Sequence, residues 1–122
     1  MPRKHPKTHV ELIEDALVEY TDNKDFLISR VEPTEESRKT FAIYLTIDDK
    51  IAEEKNLLGR IRGYDNRPIP NLILCERYLE KMKDRVLASL RRFGYVEYKS
   101  RVSTMSLSIW VIYAKGSQKY KL

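Results

Sequence analysis

Nine residues, "TFAIYLTID" at 40–48, do most to limit what this chain can become. Phe41, Ile43, Leu45 and Ile47 alternate with Ala42, Tyr44 and Thr46, which is the period of a β-strand. "FLISRVEP" at 26–33 precedes it, strand-like and closed by Pro33, and "TEESRK" connects the two. The pair predicts a β-hairpin with one buried face, and that face needs cover from elsewhere in the chain.

Two helices are placed to supply it. "THVE" sets Glu11 three residues after Thr8, the spacing of a capping box, and Val10, Ile13, Leu17 and Tyr20 follow at helical intervals. This helix is expected to end near "TDNKD". A longer helix is predicted from about Leu72 to Phe93, with Leu79, Met82, Val86, Leu90 and Phe93 along one side and Gly94 as its stop. Between them, "DD" at 48–49 caps a short helix that should end near Gly59 or Gly63. "RGYDNRPIPN" at 62–71 is the strongest break and reads as a loop. Two more strands close the chain, "YVEYKSRV" at 95–102 and "SLSIWVIYA" at 106–114. The second lacks charge altogether, so it is expected to be central and covered on both faces. In the first, Tyr95, Glu97, Lys99 and Arg101 should share a wet face, and Val96, Tyr98, Ser100 and Val102 the core face.

The order helix–strand–strand occurs twice. The expected fold class is α+β: a mainly antiparallel four-stranded sheet with helices on one face, and an αββ pseudo-repeat whose halves share few residue identities. A competing topology exists. A helix followed by "GYVEY", a basic segment and "SIWVIY" resembles the end of a winged-helix domain over residues 72–114, with the 26–48 hairpin as an addition. That resemblance implies a helix in the major groove. At 122 residues the chain suits one domain, taken as 8–116 between a flexible basic arm at 1–7 and a basic tail at 117–122.

Cys75 is the one cysteine, so an internal disulfide is excluded and a reducing compartment is favoured. No run reaches the length of a membrane span, and no apolar stretch follows the basic N-terminus, so the expected place is the cytoplasm without membrane association. One glutamine, eight tyrosines and abundant lysine, glutamate and isoleucine lean toward a thermophile, and with it an archaeal or archaeal-virus source.

Charge carries the functional reading. Residues 10–56 hold six basic and thirteen acidic side chains, whereas residues 57–101 hold eleven basic and five acidic, within a net charge of +5. Such a split means either an acidic half packed beside a basic one or basic surfaces set aside for an acidic partner. Arg77, Lys81 and Arg85 recur every four residues on the long helix and Arg92 falls on the same side. A stripe of this kind can meet several phosphates at once and release their counterions. Its plain alternative is a solvated face with local ion pairs to Glu80 and Asp84. "GRIRGYDNR" offers Arg60, Arg62 and Arg67 around Tyr64, forks for phosphate beside a ring that can stack on an unpaired base; a cationic helix end explains it as well. Lys99 and Arg101 are expected to extend the footprint of Arg91 and Arg92.

Catalytic signatures are weak. His5 and His9 straddle Pro6, Asp48 and Asp49 are best read as caps, and "EYK" at 97–99 matches the Glu-x-Lys of metal-dependent nucleases if Asp48 joins it. No Gly-rich phosphate loop or nucleophile elbow is present. The expectation is a small non-enzymatic nucleic-acid-binding protein, a regulator or accessory factor, without cofactor or metal. Its alternatives are a protein–protein module on a larger machine and a magnesium-dependent nuclease using Asp48, Glu97 and Lys99. The uncharged run at 102–114 also suggests an edge through which a homodimer forms.

Overall fold

The structure, a computed structural model, describes residues 6–114. The basic arm up to residue 5, with His5, and the tail from 117 lie outside the described residues. Helix α1 (His9–Asp22) begins at the predicted capping box: the Glu11 amide donates to the Thr8 hydroxyl at 3.2 Å, and the Thr8 amide donates to the Glu11 carboxylate at 3.0 Å. The bond from the Thr8 amide, and after it one that the Thr8 hydroxyl donates to the same carboxylate oxygen at 3.0 Å, hold the Glu11 carboxyl below its ordinary range. Strands β1 (Leu27–Pro33) and β2 (Thr40–Thr46) form the first hairpin, and α2 (Asp49–Glu54) starts at the Asp48 cap.

From there the chain departs from expectation. Helix α2 stops at Glu54 because Asn56 takes φ 59° and the Leu57 amide returns to the Ala52 carbonyl at 2.8 Å, a Schellman closure. The expected end of the short helix and the expected loop after it instead make a small hairpin, β3 (Leu58–Arg62) with β4 (Pro68–Pro70), turned at Asn66 with φ 62°. The long helix α3 (Leu72–Arg92) then follows from its Asn71 cap, and β5 (Tyr95–Val102) and β6 (Ser106–Tyr113) complete the chain.

The four long strands form one antiparallel sheet in the order β1-β2-β6-β5. The α+β class is therefore the observed one. The winged-helix topology is not, because β5 and β6 are built into this sheet rather than standing free as a wing. Helices α1 and α3 cover one face. Ile13, Leu17, Leu79, Val86 and Leu90 meet Ile43, Leu45, Leu107, Ile109 and Val111 in a core from which water is excluded. Tyr20 and Tyr78 tie α1 and the turn after it to α3 by donating to backbone carbonyls, of Arg85 at 3.1 Å and Asp25 at 2.7 Å.

The register reveals an internal two-fold relation. Strands β2 and β6 pair symmetrically about Ile43 and Ile109, so that "TFAIYLT" and "SLSIWVI" correspond without a gap. The outer strands obey the same relation, and each carries a β-bulge at the equivalent place, Ser29 in β1 and Tyr98 in β5. The αββ unit thus occurs twice. The helix ends match too, since Lys24 (φ 57°) and Gly94 (φ 94°) both close a helix in left-handed conformation. A side chain pays for that conformation and glycine does not. Lys24→Gly is accordingly expected to stabilise the fold by about 1 kcal/mol and Gly94→Ala to destabilise it by about 1–2 kcal/mol, read as opposite shifts of the urea midpoint.

The bulge in β5 overturns the expected facing of that strand. Tyr95 pairs with Tyr113 and is fully buried, Glu97 pairs with Val111, and only beyond the extra residue do Lys99 and Arg101 face away from the helices. Strand β6 is central, as expected, and cannot serve as a pairing edge. It is not covered on both faces: among the described residues no helix packs over Ser108, Trp110 and Ile112.

Burial pushes the Tyr78 and Tyr95 hydroxyls up to about 12, with Asp25 and Tyr113 respectively adding to the effect. The fold favours the neutral phenols. Their contribution to stability is complete below pH 10, where the unfolded chain keeps its tyrosines protonated, and is lost as pH rises from 10 through 12. Thermal melts are expected to hold steady to about pH 9.5 and to fall steeply above it; a melting temperature unchanged at pH 12 would contradict the burial of these rings.

Candidate nucleic-acid interface

The basic residues singled out in the sequence fall on three separate surfaces. Arg77, Lys81, Arg85, Arg91 and Arg92 are all exposed on α3, on the side turned away from the sheet. They point outward because the opposite stripe, from Cys75 through Leu79, Met82, Val86 and Leu90, is buried in the core. From Arg77 to Arg92 the stripe runs for roughly 22 Å at 1.5 Å per residue. Glu76, Glu80 and Asp84 occupy the flank of the same exposed side, and Glu80 is engaged by Lys83 at 3.3 Å.

The second surface is the β3–β4 hairpin. Tyr64 stands fully exposed at its tip. Arg62 donates to the Asn66 carbonyl at 2.9 Å and Arg67 lies 3.6 Å from the Asp65 carboxylate, so both help to shape the turn, while Arg60 has no such contact among the described residues. The hairpin and the start of α3 that follows it also carry exposed apolar side chains that charge patterning did not flag: Ile61, 71% exposed, and Ile69 on the strands, with Leu72 and Ile73, the latter 63% exposed, on the helix.

The third surface is the open face of the sheet, and it holds Lys99 and Arg101. Contrary to expectation, these two do not extend the footprint of Arg91 and Arg92, because the β5 bulge turns them away from α3. Lys99 lies over the Trp110 ring, its Nζ 4.6 Å from the centroid, and Arg30 lies over Tyr44 at 4.4 Å. The two rings meet edge to face at 6.1 Å. Arg30, Tyr44 and Trp110 were missed in the sequence, where Trp110 was assigned to a doubly covered strand. The signal that exposes them is the gapless match of "TFAIYLT" to "SLSIWVI", which sets Tyr44 against Trp110.

Five ion pairs are present among the described residues: Lys7–Asp15, Arg30–Glu32, Lys55–Asp25, Arg67–Asp65 and Lys83–Glu80. None joins a carboxylate of residues 10–56 to a cation of residues 57–101. The acidic half does not neutralise the basic half by direct pairing, and the α3 stripe keeps its charge toward water.

The catalytic alternatives lose their geometry. Glu97 and Lys99 register on opposite faces of the sheet, and Asp48 accepts the Ile51 amide at 2.8 Å as a helix cap. His9 lies 2.7 Å from the Tyr95 hydroxyl through Nδ1 and packs against Phe41 and Tyr113, which gives it a structural role. Among the described residues no three histidine, cysteine, aspartate or glutamate side chains gather as metal ligands. Cys75 is buried and burial pushes its thiol up, away from reactivity. No helix of the described residues is long and apolar enough to cross a membrane.

The fold and its surfaces define a two-layer α+β protein with a duplicated αββ unit and cations on three faces. Comparison with known proteins returns no match, whether to a family model, a curated protein or a solved structure.

Proposed function

We propose that this chain is a small non-enzymatic nucleic-acid-binding protein, a regulator or accessory factor, that holds phosphate through the outer face of α3. The observation that carries this reading is the row Arg77, Lys81, Arg85 and Arg92: exposed, about one turn apart over its first three members, and free of carboxylates within 4.0 Å among the described residues. A rigid helix is a better scaffold for such a row than a loop, because the charges need no ordering before they meet the polyanion. The lone buried Cys75 supports a reducing, cytoplasmic setting. The lean toward lysine, glutamate and tyrosine supports a thermophilic archaeal or viral source.

Fluorescence anisotropy with labelled single- and double-stranded oligonucleotides, from 50 to 300 mM salt, tests the proposal. Binding that weakens along a straight line in log salt is expected. No binding to DNA or RNA of either form at the lowest salt removes it.

A second reading is docking on a protein partner, or on a second copy of the chain. The exposed Ile61, Ile69, Leu72 and Ile73 favour it, since apolar side chains grouped around a hairpin mark contact surfaces. Co-purification with a defined protein and without nucleic acid would favour it over the first, and sedimentation would detect self-association.

A further inference from the structure

We infer that the open face of the four-stranded sheet binds single-stranded nucleic acid, with unpaired bases stacked on Tyr44 and Trp110. This rests on the reading of the chain as a nucleic-acid binder and names the form bound and a second surface that binds it. The internal two-fold relation that matches β2 to β6 also matches β1 to β5, so Arg30 corresponds to Lys99 as Tyr44 does to Trp110. The outcome is one cation–aromatic pair built twice, at 4.4 and 4.6 Å, on the face that no helix covers among the described residues. Each pair holds the two groups that one nucleotide needs, a ring for its base and a cation for its phosphate.

An exposed cation resting on a ring is held more weakly than a stacked base or a paired phosphate. A base can therefore take the ring while the displaced cation turns to the phosphate beside it. Arg101 stands in the row of Tyr44 and Ser108 and adds a third positive charge, against the carboxylates of Glu32, which lies 3.3 Å from Arg30, and of Glu36, which neighbours the Tyr98 hydroxyl. The face is thus aromatic and cationic together. A duplex would use the cations but keeps its base faces stacked within itself. An acidic peptide would leave the rings unused. A second copy, docked face to face across a two-fold axis, would oppose like charges.

Trp110 is the one tryptophan of the chain and reports on this face directly. The experiment titrates the full chain with a twelve-nucleotide single-stranded oligothymidine and with a duplex of equal length, following tryptophan emission and anisotropy. Saturable quenching by the single strand is expected, with little quenching by the duplex. Tyr44→Ala should weaken single-strand binding roughly tenfold or more, and the Arg30→Glu, Lys99→Glu double variant, which alters exposed charge rather than packing, should do likewise. If Tyr44→Ala proves unfolded by circular dichroism, the charge-reversal variant decides. Single-strand binding without quenching, and unaffected by that charge reversal, would overturn this inference while leaving nucleic-acid binding through α3 in place. So would a dimer that buries Trp110 and excludes the oligonucleotide. Absence of any nucleic-acid binding would overturn both readings.

Discussion

Tyr95→Ala is expected to cost about 3–5 kcal/mol of stability, enough to leave a domain of ordinary stability largely unfolded at moderate temperature. Tyr95 has no exposed surface and stands at the joint between α3 and the sheet. Its ring packs edge-on against Phe41 at 6.3 Å and lies 5.1 Å from Tyr113. Truncation leaves a cavity that this close-packed joint cannot refill, and it strips His9 of the hydroxyl partner at 2.7 Å. Tyr95→Phe separates the two contributions. It keeps the ring and removes the hydroxyl, so a loss of about 1 kcal/mol is expected. Urea unfolding of the three proteins measures both. A Tyr95→Ala variant within 1 kcal/mol of the parent would mean that the joint is not packed as described.

The second large effect concerns binding. Replacing Arg77, Lys81 and Arg85 together by alanine removes three exposed cations without touching the core. If each neutralises one duplex phosphate, the slope of log affinity against log salt becomes shallower by about 2.7. Between 50 and 200 mM salt the parent would then lose about 40-fold more affinity than the variant. Melting temperature should hardly move, since exposed charges away from structural partners contribute little to stability. An unchanged slope would mean that α3 does not contact phosphate, whatever affinity remains.

Both predictions show how far local sequence reasoning reaches. The α3 stripe was legible because a helix repeats every 3.6 residues, so the positions of Leu79, Met82, Val86 and Leu90 settle where Arg77, Lys81 and Arg85 must point. Phe93 lay at the limit of that pattern; it is the helix C-cap and is partly exposed. Tyr95 was misread because strand facing has a period of two, and one inserted residue reverses everything after it. The bulge at Tyr98 does that, and its hydroxyl, raised chiefly by burial and next by nearby Glu36, sits among Thr34, Glu36 and Thr40 rather than in the core. The hairpin at 58–70 was hidden for a different reason: Gly59, Gly63, Pro68 and Pro70 are poor strand formers, and only the pairing of Leu58 with Pro70 and of Arg62 with Pro68, beside α2, gives the segment strand geometry.

What the amino-acid order settled alone was local: the helix caps at Thr8 and Asp48, the apolar stripes of α1 and α3, the alternation through β2, and the α+β class that follows when two such helices must cover one such sheet. What required the folded chain was the meeting of distant residues. Arg30 reaches Tyr44, and Lys99 reaches Trp110, only because β2 and β6 pair about Ile43 and Ile109 and two matching bulges turn the outer strands. Periodicity is a property of neighbours along the chain. Register is decided by contacts between strands far apart in sequence, and it was register that brought these rings and cations together.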